Sequence, residues 1–157
     1  MKIEHNPNGF DSWVRPIYLG RKIYRIIGKD GYPEVALVES GGNPEAIGDG
    51  GDSWGMYQLQ AAYVQDASQW GLNNGVIGKP FKHEDAFNPE RAEKIIYCYM
   101  QRYATPQRLG RQPTVEDWAR LHVGGPQGHR KRDATQPHWN KMKKLLATIG
   151  FFNSSNN

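Results

Sequence analysis

The sequence predicts an α+β fold that is mainly α, with one small β-hairpin or ordered loop. Start and stop signals for helices recur through the second half of the chain, from Pro89 to Gly150. The stretch GNPEAIGDGGDS, residues 42–53, consists almost entirely of residues that favour turns. Before it, IYLGRKIYRIIG alternates weakly between apolar and polar residues and predicts either a short hairpin or an irregular arm.

The composition is that of a globular protein with one domain. Of the 157 residues, 38% are apolar and 23% are charged, so the chain can bury a core and differs from disordered chains. The mean hydropathy of −0.76 and the lack of a long apolar run argue against a membrane span. The formal net charge of +4 suits an anionic partner, and it equally suits ordinary solubility.

Two further features concern compartment. Cys98 is the one cysteine, so an internal disulfide cannot form; we interpret it as a small buried apolar residue. The start MKIEHNPNGFDSW lacks the apolar core of a signal peptide. We therefore expect that the chain stays inside, leaves by another route, or has lost a leader.

The first predicted helix precedes the turn-rich stretch. Pro33 suits the first turn of a helix, and the apolar run 35–38 follows it. Gly41 and Gly42 are stop signals, which predicts that Glu39 lies on the last turn of a short buried helix.

The remaining helices follow in order. Ser53 is a plausible N-cap for a helix that runs to about Trp70, and residues 71–86 read as a loop. Pro89 opens a helix that continues to about Tyr103.

The last two helices begin and end at clear signals. The sequence TVED, residues 114–117, resembles a capping box, and the helix it starts stops at Gly124. A final helix is predicted from about Pro137 to Ile149. The resulting organisation is an N-terminal arm at 1–31, one domain at 32–150 and a disordered tail at 151–157.

The corner between the first two helices carries carboxylates. At a predicted helix C-terminus, with Val35 and Ala36 on the same face, Glu39 would meet an adverse dipole and apolar neighbours. Both favour the protonated acid, which is the form that a general acid needs. Asp49 lies across the flexible corner, and a neutral acid paired with an ionised carboxylate is the chemistry of glycosidic bond cleavage.

Spacing alone favours a simpler explanation of this corner. Glu39 could be a solvated residue at a helix end, and Asp49 and Asp52 could be turn formers, since acidic residues in turns are common. The nearby aromatic residues are likewise more often core residues than platforms for sugars.

A family resemblance favours the catalytic alternative. The stretch ESGGNPEAIGDGG, followed by SWGMYQLQAAYVQDA, resembles the start of a lysozyme-superfamily domain. The later segments YMQRYA, PTVEDWARLHVGGPQG and HWNKMKKL are most similar to the invertebrate-type, destabilase-like lysozymes and their bacterial and phage relatives. The likeness runs from about Tyr32 to Leu146 and implies a lysozyme-like fold, with the hairpin or loop next to an active-site cleft.

By this resemblance, Glu39 matches the general acid of the family in its ESG motif. The second acid of the family lies between ESG and the Ser-x-Gly motif, where Asp49 and Asp52 both fall. We favour Asp49, which follows the Ile-Gly pair, and keep Asp52 as the alternative. Ser53 and His122 match positions associated in some relatives with cleavage of isopeptide bonds, but a helix cap and a packing or sugar-contacting role are the simpler interpretations.

The sequence departs from the family in two respects. Animal members are rich in cysteine, whereas this chain holds Gly42, Trp54 and Val115 at positions where they carry cysteine. A bacterial or phage origin is therefore more natural. The His-Asn-Gly-Gly pattern of the family reads His-Val-Gly-Gly at residues 122–125, which puts the fine substrate specificity in doubt.

The resemblance implies a bacteriolytic muramidase that hydrolyses the β-1,4 bond between N-acetylmuramic acid and N-acetylglucosamine. Glu39 would protonate the leaving oxygen, and Asp49 would act as the nucleophile or stabilise the positive ring. The candidate substrate contacts are Ser53, Tyr57, Gln58, Tyr63 and His122.

Two alternatives remain open. A lytic transglycosylase shares the ESGGNP and SxGxxQ motifs and would need Glu39 alone, giving 1,6-anhydro products. A wall-binding module without catalysis would keep the cleft and need no acid. A role with nucleic acid would rest only on the pI of about 9.2 and the basic run at 129–132.

The expected partner is the glycan strand of peptidoglycan, outside the cytoplasm, with no cofactor, no metal, no nucleic acid and no membrane insertion. We expect a monomer. The remaining histidines, His5, His83, His129 and His138, form no ligand set and are assigned surface roles.

Overall fold

The structure is a computed structural model that describes the strand segments 14–19, 22–28 and 35–39 and the continuous segment 43–148, with side chains described in 43–148 only. Helices predominate in this part of the chain, and two small antiparallel sheets accompany them. The predicted architecture, α+β and mainly α, is therefore confirmed. The tail predicted at 151–157 lies outside the described residues.

Three short strands form the first sheet. β1 (Val14–Leu19) pairs with β2 (Lys22–Gly28), which pairs with β3 (Val35–Glu39), and both pairings are antiparallel. The hairpin alternative for the arm is confirmed, and a strand of the predicted arm at 1–31 pairs with a strand of the predicted domain.

The helix predicted to end at Glu39 is wrong, because residues 35–39 form β3, in which Glu39 lies opposite Tyr24. The physical reason is that a short apolar run rich in valine fits a strand as well as a helix, and the neighbouring β2 offers a ladder of backbone hydrogen bonds.

The turn-rich stretch folds into a small hairpin, which is one of the two predicted alternatives; it is not an irregular ordered loop. β4 (Ile47–Gly48) pairs with β5 (Ser53–Trp54) across a 3-10 turn at Asp49–Gly51. The backbone N–H of Trp54 donates to the carbonyl of Leu59 at 3.0 Å, and the reverse bond measures 2.9 Å. The segment after the hairpin is therefore folded back on β5.

This pairing overturns the N-cap assigned to Ser53. The helix predicted to start there, α1, begins only at Ala61, after Gln60, and ends at Asn73. The predicted loop at 71–86 is accordingly shorter at its start, and it ends in a 3-10 turn at His83–Phe87. Ser53 favours an N-cap locally, but strand pairing is more stable here because it satisfies the backbone N–H and C=O groups of residues 54 and 59.

Gly55 is a position where glycine is required. Its φ is +83°, and a Cβ atom there would overlap the backbone carbonyl oxygen of Ala86. Gly50 also has a positive φ, +67°, but a Cβ atom there would meet open space. Gly55 therefore lets β5 approach the 3-10 turn at His83–Phe87 closely.

The next helices begin where the sequence predicts. α2 (Pro89–Tyr103) follows Asn88, whose Oδ1 accepts from the N–H of Arg91 at 3.0 Å. A single turn, α3 (Pro106–Leu109), precedes α4 (Val115–Gly124). α4 starts with the predicted capping box, in which Thr114 and Asp117 each accept from the backbone N–H of the other.

The last helix, α5 (Arg132–Thr148), begins earlier than predicted and contains Pro137 in its interior. Arg120, which is 1% exposed, explains the early start. Its guanidinium donates to the carbonyl of Arg132 at 2.9 Å, to Thr135 Oγ1 at 2.8 Å and to Gln136 Oε1 at 2.6 Å. These bonds hold the first turn in place. The basic run at 129–132 is accordingly not a plain loop, since residues 128–130 form a 3-10 turn.

The core lies between the helices. α1 packs on α2, and α4 packs on α5. Cys98 on α2 is fully buried, and burial raises the pKa of its thiol to about 12. Its interpretation as a small buried apolar residue is confirmed. The cluster of buried apolar residues that forms the core includes Leu59, Val64, Ala67, Ile95, Ile96, Tyr99, Trp118 and Leu121.

Candidate active site

A cleft of about 390 Å³ opens between the small hairpin, α1, α4 and α5. Its walls bring together residues that are far apart in the sequence. Six of the residues that the sequence singled out line it: Asp49, Ser53, Tyr57, Gln58, Tyr63 and His122. A pocket of this size, with an apolar lining and a few convergent polar groups, has the form of a ligand site.

Asp49 and Ser53 form a hydrogen-bonded pair at the hairpin side of the cleft. Ser53 Oγ donates to Asp49 Oδ2 at 2.5 Å, and Gln60 Nε2 donates to Ser53 Oγ at 3.3 Å. Ser53 is only 1% exposed, whereas Asp49 is exposed. The buried hydroxyl therefore fixes the orientation of an exposed carboxylate.

The backbone at Asp49 has a left-handed conformation, with φ +52°. Residues other than glycine rarely adopt this conformation, although aspartate tolerates it better than most. Asp52, the alternative second acid, is exposed and is absent from the residues that line the cleft. The hairpin thus presents one of its two aspartates to the cleft.

The segment after β5 forms the floor of the cleft. Gln58 also has a positive φ, +53°, and its Nε2 donates to the carbonyls of Gly55 at 2.9 Å and Ala46 at 3.4 Å. Tyr57 is buried, and its hydroxyl donates to Glu93 Oε2 on α2 at 2.5 Å. These bonds tie the floor to the small hairpin and to the core.

His122, on the last turns of α4, is half-buried in the cleft wall. Its Nδ1 lies 3.0 Å from the hydroxyl of Tyr63, and its ring also hydrogen-bonds to the backbone of Tyr57. Burial, aided by the nearby His138, lowers the pKa of His122 to about 4. His122 is therefore a neutral hydrogen-bonding group at neutral pH.

Tyr63 links His122 to the core. Its ring stacks on that of Tyr99 with the centroids 3.7 Å apart, and burial raises the pKa of its hydroxyl well above the usual value. The hydrogen bonds of Ser53 go to Asp49 and Gln60, and those of His122 go to Tyr63 and Tyr57. A serine–histidine pair of the kind that activates a nucleophile is thus not assembled here.

Comparison with known proteins identifies the family. The destabilase family matches residues 35–145, which is more than half of the chain. The chain belongs to the destabilase family. It is 31% identical, over 93 residues, to invertebrate-type lysozyme 6 of Caenorhabditis elegans; the match covers 59% of this chain and 67% of the relative. The likeness to destabilase-like lysozymes drawn from the motifs is confirmed, and the mainly helical fold of this family member is lysozyme-like.

Glu39, the residue expected from its ESG motif to be the general acid, is the last residue of β3, and its side chain lies outside the described part. β3 contacts α4 and α5, the helices that carry one wall of the cleft. Because residues 35–39 form a strand, the helix-dipole argument for a protonated Glu39 no longer applies. The proposal that Glu39 is an acid in this family member therefore rests on its motif.

Several residues of the cleft were not predicted. Gln60, Asp66 and Tyr99 line it, as do His138 and Lys141 of α5. The sequence did contain a signal that these α5 residues share one surface, because positions 138, 141, 142 and 145 have the spacing of a single helix face.

The surface roles assigned to two histidines are wrong. His138 lies in the cleft wall. His83 stacks on Trp54 with centroids 3.6 Å apart, and its Nε2 lies 2.7 Å from the carbonyl oxygen of Leu59. Both are tertiary contacts that histidine spacing does not reveal.

Within the segments that the structure describes, no group of three His, Cys, Asp or Glu side chains could hold a metal ion. No helix among those segments is long and apolar enough to cross a membrane.

Proposed function

We propose that this chain is a muramidase, which hydrolyses the β-1,4 bond between N-acetylmuramic acid and N-acetylglucosamine in peptidoglycan and acts outside the cytoplasm on the cell wall. The observation that carries the proposal is the cleft of about 390 Å³, where Asp49 meets the polar and aromatic side chains expected to contact the glycan. Membership of the destabilase family, and the likeness to a relative named as a lysozyme, support the same reaction class.

In this proposal Glu39 protonates the glycosidic oxygen as the bond breaks. The carboxylate of Asp49 attacks the anomeric carbon or stabilises its developing positive charge. Water, deprotonated by Glu39, then releases the sugar with retention of configuration. Ser53 keeps Asp49 aimed at the anomeric carbon through their 2.5 Å hydrogen bond.

The other cleft residues bind the sugars. The amide groups of the glycan need acceptors, and Gln58, whose Nε2 is used within the floor, offers its Oε1. The neutral ring of His122 is bonded to Tyr63 and Tyr57 and offers a packing surface. Val123 is an apolar residue that remains 51% exposed at the cleft, and it suits contact with the methyl of an N-acetyl group. Such a mixture of apolar walls and few polar groups is typical of sites that bind small organic groups.

The test is mass spectrometry of the products released from purified peptidoglycan. We expect reducing muramic ends from the wild type and none from Glu39→Gln. Asp49→Asn should lower the rate about 100-fold or more, because a group that stabilises the transition-state charge is lost. Asp52→Asn is the matched control: it makes the same change in the same hairpin, outside the cleft, and should leave the rate nearly unchanged.

Three other outcomes would each support a different function or a different second acid. Loss of activity in Asp52→Asn instead would make Asp52 the second acid. Anhydro ends with full activity in Asp49→Asn would establish a lytic transglycosylase. Binding of the glycan without release by the wild type would establish a wall-binding module.

A further inference from the structure

One face of α5 forms a cleft wall that the proposed reaction does not use. His138, Lys141, Met142 and Leu145 line the cleft at the spacing of a single helix face. The core face of the same helix is offset from it and consists of the buried Thr135, Trp139, Met142 and Leu146. Met142 lies at the border of the two faces. His138 and Lys141 therefore point to the cleft because of where α5 packs, and the core does not require them.

His138 carries a buried polar atom that lacks a partner. Its Nε2 is one of three buried side-chain nitrogen or oxygen atoms without a hydrogen-bond partner among the described residues, and of these three only His138 lines the cleft. Buried polar atoms nearly always have partners, so an orphaned one needs an explanation. Because His138 lines the cleft, a rotation of its ring would bring this nitrogen within reach of a ligand atom there, which would satisfy it.

The charges divide between the walls of the cleft. Its carboxylates, Asp49 and Asp66, lie on the hairpin and on α1, whereas Lys141 and His138 lie on α5. α5 packs on α4, on the 3-10 turn at Gly128–Arg130 and on β3. A glycan in the cleft would thus meet carboxylates on one wall and the Lys141 ammonium, beside the His138 ring, on the other.

The surroundings of His138 favour an anionic or carbonyl oxygen. Burial of the ring and, second, the charge of Lys141 lower the pKa of His138, and the ring of His122 lies 6.4 Å away, centroid to centroid. Three nitrogen-bearing side chains therefore converge at this end of the cleft. An ammonium group and an imidazole N–H are both donors, and their natural partner is a carboxylate.

We propose that His138 and Lys141 form a subsite for the carboxylate-bearing 3-O-lactyl substituent that distinguishes N-acetylmuramic acid from N-acetylglucosamine. The inference rests on the proposed function and adds a source of substrate selectivity to it. The carboxylate comes either from the lactyl group itself, where the peptide has been removed, or from the stem peptide attached to it. Chitin oligosaccharides have the same backbone and lack both.

The experiment compares three substrates of equal length. They are glycan strands stripped of peptide by an amidase, strands that keep their peptides, and chitin oligosaccharides. Lys141→Met removes the charge and keeps most of the aliphatic stem at an exposed position, so the fold should survive. His138→Gln is the second variant. Lys144→Met, exposed on the same helix and outside the cleft lining, is the matched control.

We expect Lys141→Met and His138→Gln each to raise KM on the muramyl substrates about tenfold with little change in kcat, because a charge-assisted hydrogen bond is lost in both the ground state and the transition state. KM on chitin oligosaccharides should change less than about twofold, and the control should match the wild type on all three. An effect on stripped strands identifies the lactyl carboxylate as the ligand. An effect confined to peptide-bearing strands identifies the peptide.

A parallel measurement separates this proposal from the reaction. Calorimetry in the Glu39→Gln background gives Kd for the same three glycans without cleavage. If the wild type cleaves nothing but Lys141→Met still weakens muramyl binding selectively, the muramidase proposal fails and the subsite stands. Equal losses on chitin and muramyl glycans, or no loss on either, would overturn the subsite.

Discussion

The hydrogen bond between Tyr57 and Glu93 should be a major support of the cleft floor. The Tyr57 hydroxyl donates to Glu93 Oε2 at 2.5 Å, and the two residues are 2% and 8% exposed. Tyr57 lies in the segment between β5 and α1, and Glu93 lies on α2. This buried bond therefore ties a segment with little regular structure to the centre of the core.

Tyr57→Phe removes the hydroxyl and keeps the ring. A hydrogen bond to a charged group contributes about 1.5–3 kcal/mol, so the free energy of unfolding should fall by about 2 kcal/mol. For a chain of this size, that corresponds to a fall of roughly 4–8 °C in Tm. Glu93→Gln should cost a similar amount, because the amide is a weaker acceptor than the carboxylate.

The assay is urea denaturation followed by tryptophan fluorescence on both single variants and the double variant. The double variant should lower the free energy of unfolding by less than the sum of the single variants, with a difference of about 1 kcal/mol or more, because either change alone already removes most of what the bond contributes. Glu84→Gln, at an exposed carboxylate, is the control and should change stability by less than about 0.5 kcal/mol. If the losses in free energy of unfolding of the two single variants simply add in the double variant, the two side chains are not coupled. If Tyr57→Phe leaves the free energy of unfolding unchanged, the bond has no structural role.

Three further predictions test the site and its scaffold. Ser53→Ala should lower kcat on peptidoglycan about tenfold, because Asp49 loses its orienting donor; an unchanged kcat would contradict this. The pKa of His122 is lowered from 6.5 to about 4, so the unfolded state binds more protons between these values. The stability that comes from keeping His122 neutral is complete above pH 6.5 and is lost as the pH falls to 4. In urea titrations, His122→Gln should therefore lose less stability across that pH window than the wild type. Equal losses in the two proteins would argue against a buried neutral ring. Gly55→Ala should lower the free energy of unfolding by at least about 3 kcal/mol, because the new Cβ overlaps the backbone of Ala86. Gly50→Ala, which has the same sign of φ but open space around the Cβ, should lower it by about 1 kcal/mol. Equal shifts in Tm for the two variants would refute the packing argument.

Local signals predicted the helices of the second half well. The Asn88 cap of α2 and the capping box of α4 are decided by side chains within three residues of the backbone groups that they satisfy. The small hairpin was predictable for the same reason, because glycine and aspartate set the backbone of a turn directly.

Two local predictions failed where distant partners compete. Residues 35–39 pair with β2, and Ser53 pairs with Gly48 as part of β5. In both cases the sequence allowed a helix boundary, and strand pairing gave the backbone a better set of partners. The early start of α5 has a similar cause, since Arg120 of α4 binds its first turn.

For the candidate site too, the sequence predicted which residues matter but not how they contact one another. The family motifs marked Glu39, Asp49, Ser53 and His122 as residues of interest from the sequence. They did not indicate that Ser53 is bound to Asp49, or that His138 shares the cleft with His122. Family motifs record which residues occur in which order, and hydrogen bonds between separate elements depend on packing.

The sequence by itself determined the mainly helical fold class, the caps of α2 and α4, and the family, because each depends on residue types and their spacing along the chain. Only the tertiary structure decided which aspartate of the hairpin faces the cleft and which histidines lie in its wall. The physical reason is that burial, hydrogen-bond partners and pKa are properties of a side chain's neighbours in space. For Asp49, Ser53, His122 and His138, those neighbours come from the hairpin, α1, α4 and α5 together.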